Sequence, residues 1–175
     1  MNIIKEDIIL RAIEQEDMQL LKELINDPEV EKMVVGWSFP VSTNQQITWI
    51  NSLSNDRHNV RFIIDIKNVG AVGVVSLTSI DFKNGTATIN IKLKKEDKIR
   101  NKGIGYKAIT MLIDYAFNQL NINCLVANIL NYNTASQKLF EKSGFELEGT
   151  LRKRVFKNGA HQDLLSYSLI RSEFK

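Results

Sequence analysis

Two glycines one residue apart, Gly103 and Gly105, follow Arg100, Asn101 and Lys102 and lead into an apolar segment of helical period. Between residues 92 and 107 seven basic side chains (Lys92, Lys94, Lys95, Lys98, Arg100, Lys102 and Lys107) stand against Glu96 and Asp97. The whole chain carries only +3, so the positive charge is local and the remainder is slightly acidic. Glycines let an anion approach the main chain closely, and N–H groups converging at the start of a helix meet it with positive partial charge. The chemistry is that of phosphate binding. A tight turn beside a solvated basic face accounts for the same residues without a ligand.

Known phosphate loops separate on their details. A Walker loop needs Lys-Ser/Thr after its last glycine, and Gly105 is followed by Tyr106 and Lys107. Gly103, Gly105 and Ala108 satisfy the dinucleotide pattern G-x-G-x-x-A, but that unit follows a fully buried strand and places an acid about 20 residues on. Here the preceding segment alternates, and no Asp or Glu occurs between Asn118 and Leu139. Nucleic acid is disfavoured because Tyr106 is the only aromatic within the basic patch, which leaves no stacking platform. Cys124 is the single cysteine and His58 and His161 the only histidines, so neither a disulfide nor a metal spacing exists. Within the apolar run "CLVANIL", Cys124 reads as a buried, inert thiol.

These residues need elements to position them. At 175 residues the chain is expected to be one domain over 1–175; 43% apolar and 25% charged residues fit a soluble globular protein. No stretch approaches the roughly 20 apolar residues of a membrane span, and a cytoplasmic location is expected. A strand is predicted at "IILRAI", a helix from about Glu16 to Asn26, and a short helical piece after Pro28. A further helix is capped by Thr43 or Asn44 and carries Ile47, Ile50 and Leu53. Strands follow at "VRFIIDI" and "VGVVSLTSI", and Asn84-Gly85 signals a hairpin into "TATINIKL", where Ala87, Ile89, Ile91 and Leu93 alternate with Thr88, Asn90 and Lys92. One face of that strand is buried and the other polar.

The period then turns helical, with Ile104, Ala108, Met111, Leu112, Tyr115 and Ala116 on one stripe. "NCLVANIL" reads as a buried strand, and a helix runs from near Asn133 to Gly144, with Thr134 and Gln137 spaced for a capping box. "FELEGTLRKRVF" and "HQDLLSYSLI" flank a second hairpin signal, Asn158-Gly159. The class is α+β: a mixed, mostly antiparallel central sheet flanked by helices.

The pattern Arg-x-x-Gly-x-Gly at a strand-to-helix junction, Arg100 to Gly105, resembles the pyrophosphate loop of the GNAT N-acetyltransferases. "NYNTASQKLFEKSGFELEG" is similar to the family's second signature, through Asn133, Ser136, Lys142, Gly144, Phe145 and Gly149. The opening "LRAIEQED" resembles the L-R-x-x-x-x-x-D start of the RimJ/RimL branch and its spermidine acetyltransferase relatives. The resemblance covers nearly the whole chain. It implies a splayed parallel strand pair, "TATINIKL" and "NCLVANIL", with the pantetheine arm of acetyl-CoA between them.

Main-chain groups around Ile91, Lys92 and Leu93 would then polarise the thioester. Arg100, Asn101, Lys102, Gly103, Ile104, Gly105 and Tyr106 would hold the diphosphate, and Asn128, Asn133, Ser136 and Phe140 the arm. Acetyl would pass directly to an amine, with no acyl-enzyme. The chain departs from many relatives at two positions: Phe140 stands where a tyrosine protonates the leaving thiolate, and Thr88 lies near the position of a glutamate base. Ser136 stands equally for a donor to the thiol sulfur and a first-turn helix residue.

In "GWSFP", Ser38 and Phe39 replace the paired carboxylates with which polyamine acetyltransferases of this branch bind cationic substrate. The expected acceptor is therefore a low-pKa or neutral-bodied primary amine: a protein α-amine, an amino sugar or a small metabolite. An alkylamine of pKa about 10.4 costs about 4.6 kcal/mol to deprotonate at pH 7, against about 1 for an α-amine near 7.8. Trp37 and Phe39 would wall the acceptor site or serve as ordinary core aromatics; His161 is a water-mediated base or plain hairpin surface. A catalytically degenerate acyl-CoA sensor and a polyamine acetyltransferase are the alternatives. A homodimer is expected by analogy with relatives.

Overall fold

The computed structural model describes residues 1–36, 38–53, 56–95 and 102–174. Eight strands form one sheet in the order β1-β2-β3-β4-β5-β6-β8-β7. They are β1 (Ile3–Lys5), β2 (Ile8–Arg11), β3 (Val60–Ile66), β4 (Gly70–Asp81), β5 (Thr86–Leu93), β6 (Cys124–Leu130), β7 (Glu146–Lys157) and β8 (Ala160–Ile170). Every neighbouring pair is antiparallel except β5 with β6. The helices are α1 (Met18–Asn26), α2 (Pro28–Glu31), α3 (Thr43–Ser52), α4 (Ile104–Asn118) and α5 (Thr134–Lys142).

Alternation along the strands separates two cores. Val75, Leu77, Ala87 and Ile89 pack with Leu10, Ile64 and the buried side of α4. Ile63 and Val74 point the other way, against Leu20, Leu21 and Leu24 of α1 and Trp49 and Ile50 of α3. Helix α4 buries more than the predicted stripe, because Ile109, Ile113 and Phe117 form a second covered row.

Some local expectations are corrected. Strand β1 is absent from the sequence reading; at three residues it is too short to show a period. The first predicted helix opens with a 3₁₀ turn over Gln15–Asp17. Helix α3 is capped not by Thr43 or Asn44 but by Ser42, whose hydroxyl accepts from Gln45 N at 3.3 Å while Gln45 Oε1 accepts from Ser42 N at 2.8 Å. This reciprocal pair satisfies two donors that Thr43 could not reach from inside the helix. The capping box between Thr134 and Gln137 does not form. Asn133 is the cap, its Oδ1 accepting from Ser136 N, and Gln137 turns back to the Asn131 carbonyl at 3.0 Å.

Candidate active site

Strands β5 and β6 pair only at their beginnings: Thr86 with Cys124, Ala87 with Leu125 and Thr88 with Val126. Beyond Val126, β6 keeps its pairing with β8 as far as Leu130, while β5 keeps β4 as far as Leu93. The two strands therefore splay. Lys94 N donates to Val72 O across the β4 side at 2.9 Å, so alternation turns the peptide groups of Ile91 and Leu93 into the gap and that of Lys92 toward β4. Consistently, a Cβ added at Gly73 of β4 would meet Lys92 O at 2.3 Å. Of the three positions expected to offer main chain to the arm, Lys92 instead contributes its side chain.

The gap is a cleft of about 600 Å³. It gathers Thr88, Ile91, Lys92, Leu93, Asn128, Asn133, Ser136 and Phe140, together with Met33 to Gly36 from the segment after α2. Phe140 is buried, its ring edge-on to Phe145 at 5.0 Å. The Asn133 carboxamide works on both sides: besides capping α5 through Oδ1 it donates through Nδ2 to Met33 O at 2.8 Å. Tyr132 donates to Lys32 O at 2.7 Å. The segment after α2 is thus fastened to the β6–α5 junction along one wall of the cleft.

At the far end of β5 lies the start of α4. Gly103 is its N-cap with φ +71°, a left-handed conformation in which a side chain is strained, and no side chain caps the helix. Ile104 is buried, and Gly105 faces Leu93 and Leu139, which line the cleft. Lys102 is exposed, and Tyr106 lies under the Lys142 ammonium at 4.7 Å. Arg100, Asn101 and Trp37 lie outside the described residues. Part of the basic cluster is committed elsewhere: Lys94 to Glu23, Lys95 to Glu29, and Lys107 to Glu6 and Asp7.

A second cavity, about 410 Å³, is floored by β4 and β5 and walled by α1 and α3. Leu21, Leu24, Val41, Trp49 and Val74 make it apolar, and Ser76, Asn90, Ile91 and Lys92 belong to its lining and to that of the cleft. The polar face of β5 is therefore not a solvent face; it is the junction of two cavities. Burial pushes the Lys92 ammonium below the ordinary lysine value, and the nearby charge of Lys157 adds to that. Arg61, in the same wall, pairs with Asp56 at 3.1 Å and lies over Trp49 at 5.6 Å.

Phe39 and His161 are in the lining of neither cavity. Phe39 is exposed, and His161 sits on the β7–β8 hairpin against the Phe156 ring. Cys124 lies outside both cavities as well; burial raises its thiol pKa, with Glu148 and Glu173 adding to the effect. Among the described residues no cluster of His, Cys, Asp or Glu could hold a metal. No helix among them is long and apolar enough to cross a membrane.

Residues 7–146 match the model of the acetyltransferase (GNAT) domain. The chain belongs to the GNAT acetyltransferase family. It is 33% identical to the uncharacterized N-acetyltransferase p20 of Bacillus licheniformis over 97% of this chain and 96% of that protein. It is 24% identical to the spermidine N(1)-acetyltransferase of Escherichia coli over 94% of this chain and 87% of that protein. Its fold matches spermidine N-acetyltransferase from Vibrio cholerae, solved with CoA and spermine, at a TM-score of 0.89 and 24% identity, covering 97% and 98% of the two chains.

The GNAT reaction uses acetyl-CoA, and the observed residues fit it. A cleft between splayed strands, the peptide groups of Ile91 and Leu93 turned into it, and a helix start at Gly103 with no side-chain cap among the described residues offer partners for an amide-bearing arm and its diphosphate.

Proposed function

We propose that this GNAT N-acetyltransferase, acting as one domain over residues 1–175, acetylates a primary amine of low pKa or neutral body rather than a polyamine. The observation that carries this is the second cavity: it shares Ser76, Asn90, Ile91 and Lys92 with the cleft and presents no carboxylate among its described lining residues, while Glu29, in the cleft wall, is paired with Lys32 and Lys95. A polyamine needs acidic partners to replace the water around its charges. Lys92, in the cavity wall, supplies the opposite sign.

Acetyl-CoA supplies an acyl group activated on a thiol leaving group. The peptide groups of Ile91 and Leu93 would fix the arm and polarise the acyl oxygen, and Gly103 to Tyr106 at the start of α4, with Lys102, would hold the diphosphate. Asn128, Asn133, Ser136 and Phe140 line the opposite wall. Thr88 has no basic group to accept a proton, so the amine is expected to enter already neutral or to lose its proton to water. An ammonium and a thioester give an amide, a thiol and one released proton.

Arg100 and Asn101 are proposed to complete the diphosphate loop, and Trp37 to form a wall for the acceptor. A cytoplasmic location and a homo-oligomer are proposed as well; the latter is supported by the dodecameric form of the Vibrio cholerae relative. Thiol release from acetyl-CoA, measured at pH 7 over a panel of amines, tests the reading. Turnover on α-amines or amino sugars and little on spermidine is expected. The reverse order overturns the acceptor class, and tight CoA binding without release on any amine replaces the enzyme with a sensor.

A further inference from the structure

The Lys92 ammonium has no hydrogen-bond or ion-pair partner among the described residues. Charged side chains that share a cavity wall with it are paired. Arg61 is held by Asp56, and Glu29, in the cleft wall, is paired with Lys32 at 2.7 Å and Lys95 at 3.7 Å. Glu31 is taken by Lys157, whose side chain is 3% exposed. A desolvated ammonium with no counter-ion among the described residues is costly unless a ligand supplies one.

We propose that Lys92 binds the carboxylate of the acceptor, and that the acceptor is an α-amino acid with an apolar side chain. The argument is one of placement. Lys92 lies where the two cavities meet, so an anion on its ammonium is next to the gap that holds the thioester. An amine one carbon from that anion reaches the gap, and the rest of the molecule is directed into the cavity of Leu21, Leu24, Val41, Trp49 and Val74. The diphosphate cannot be this anion, because the helix start that suits it opens from Gly103, beyond the end of β5.

The same contact prepares the amine. In a free amino acid the carboxylate stabilises the adjacent ammonium; pairing that carboxylate with Lys92 removes the stabilisation and lowers the ammonium pKa. Burial already disfavours the charged form of Lys92 itself, and a carboxylate partner restores it. A site without a general base is thereby matched to its substrate by charge. In the transfer the amine nitrogen forms its bond to the acetyl carbon as the carbon–sulfur bond breaks. The sulfur takes one proton, and the second proton of the ammonium goes to water.

This inference rests on the acetyl-transfer reading only for the direction in which the amine points. It is therefore tested by binding. The full-length protein saturated with CoA is titrated calorimetrically with phenylalanine, phenylalaninamide, 2-phenylethylamine and spermidine. Phenylalanine is expected to bind roughly 10- to 100-fold more tightly than its amide or the amine. Lys92→Met should abolish that preference, and Lys92→Arg should keep most of it.

Equal binding of acid and amide overturns the proposal, as do preferred spermidine, no binding of phenylalanine, or an unchanged preference in the folded Lys92→Met protein. Circular dichroism of each variant separates lost folding from lost recognition. Carboxylate-dependent binding without thiol release supports the site while overturning acetyl transfer.

Discussion

One guanidinium, that of Arg11 at the end of β2, holds both oxygens of the Asp17 carboxylate at 2.7 and 2.8 Å while its Nε reaches Asp65 of β3 at 2.8 Å. Asp17 is 4% exposed. Burial pushes its carboxyl pKa up, but the hydrogen bonds from Arg11 and from the Glu14 amide, with the Arg11 charge, outweigh burial and leave it below the ordinary value. Asp17→Asn is expected to cost about 3 kcal/mol, since it leaves a partly buried cation short of its partner. Because the native pKa lies below the unfolded one, the contribution is complete above about pH 3.9 and is lost as pH falls below that value. Urea denaturation of wild type and variant from pH 7 to pH 3 checks both statements; the gap between them should close only in the acid range.

This pair shows what the sequence could and could not reveal. The spacing of Leu10, Arg11 and Asp17 is legible as a family opening, but nothing local in the sequence says that Asp17 is buried. The period-two pattern of residues 86–93 identified β5 and its buried face. Its polar face is legible only as polar, since alternation distinguishes polar from apolar and not solvent from cavity. A run of Thr88, Asn90 and Lys92 in the middle of a sheet, with two amphipathic helices available to cover it, was the available signal. His161 looked close to the site because hairpin position in sequence carries no information on which way the hairpin leans.

Lys157, at the end of β7, donates to the Glu31 carbonyl at 3.0 Å, to the Glu31 carboxylate, and to Ser38 Oγ at 3.3 Å. Together with Tyr132 and Asn133 it holds the segment after α2 against the cleft. Lys157→Met is expected to destabilise the protein by about 1–2 kcal/mol, a modest cost because the Glu31 carboxylate can turn to water. It should also raise the KM for the acceptor several-fold with kcat less affected. The hydrogen bond from Lys157 keeps the Glu31 carboxyl below its ordinary value, so in wild type the latch should open, and KM rise, only as pH falls below about 4.3. Steady-state kinetics between pH 4 and pH 7 on both proteins gives the answer.

A Cβ at Gly105 would stand 3.4 Å from Leu93 Cδ1 and 3.5 Å from Leu139 Cδ2, which is ordinary contact. Gly105→Ala should therefore fold, gain up to about 1 kcal/mol of helix stability and bind CoA nearly as wild type does. Gly105→Glu cannot extend without displacing the two leucines or placing an acid where the diphosphate is to lie, and its CoA affinity should fall at least tenfold. Gly103→Ala meets no neighbour but must adopt φ +71°, costing about 1–2 kcal/mol. Thermal melts with CoA titrations distinguish a lost loop from a lost helix start. Unchanged CoA affinity in Gly105→Glu would remove the loop from the binding site.

The resemblance sets Phe140 where many relatives would carry a tyrosine acid, and its ring lies 3% exposed in the cleft wall beside Phe145. Ser136, one turn earlier on the same face of α5, makes no side-chain hydrogen bond among the described residues, which leaves its hydroxyl as a partner for an introduced phenol. If thiolate protonation limited turnover, Phe140→Tyr would raise kcat by something approaching the factor of 100 or more that a positioned acid supplies. A thiol with pKa near 8.5, taken by analogy with cysteine, leaves readily at pH 7 and can collect its proton from water. The expected change in kcat is therefore within about threefold for Phe140→Tyr and for Ser136→Ala, whereas Phe140→Ala should lose about 3–5 kcal/mol of stability. A hundredfold gain in Phe140→Tyr would mean that proton delivery to sulfur, and not deprotonation of the amine, is the step this active site lacks.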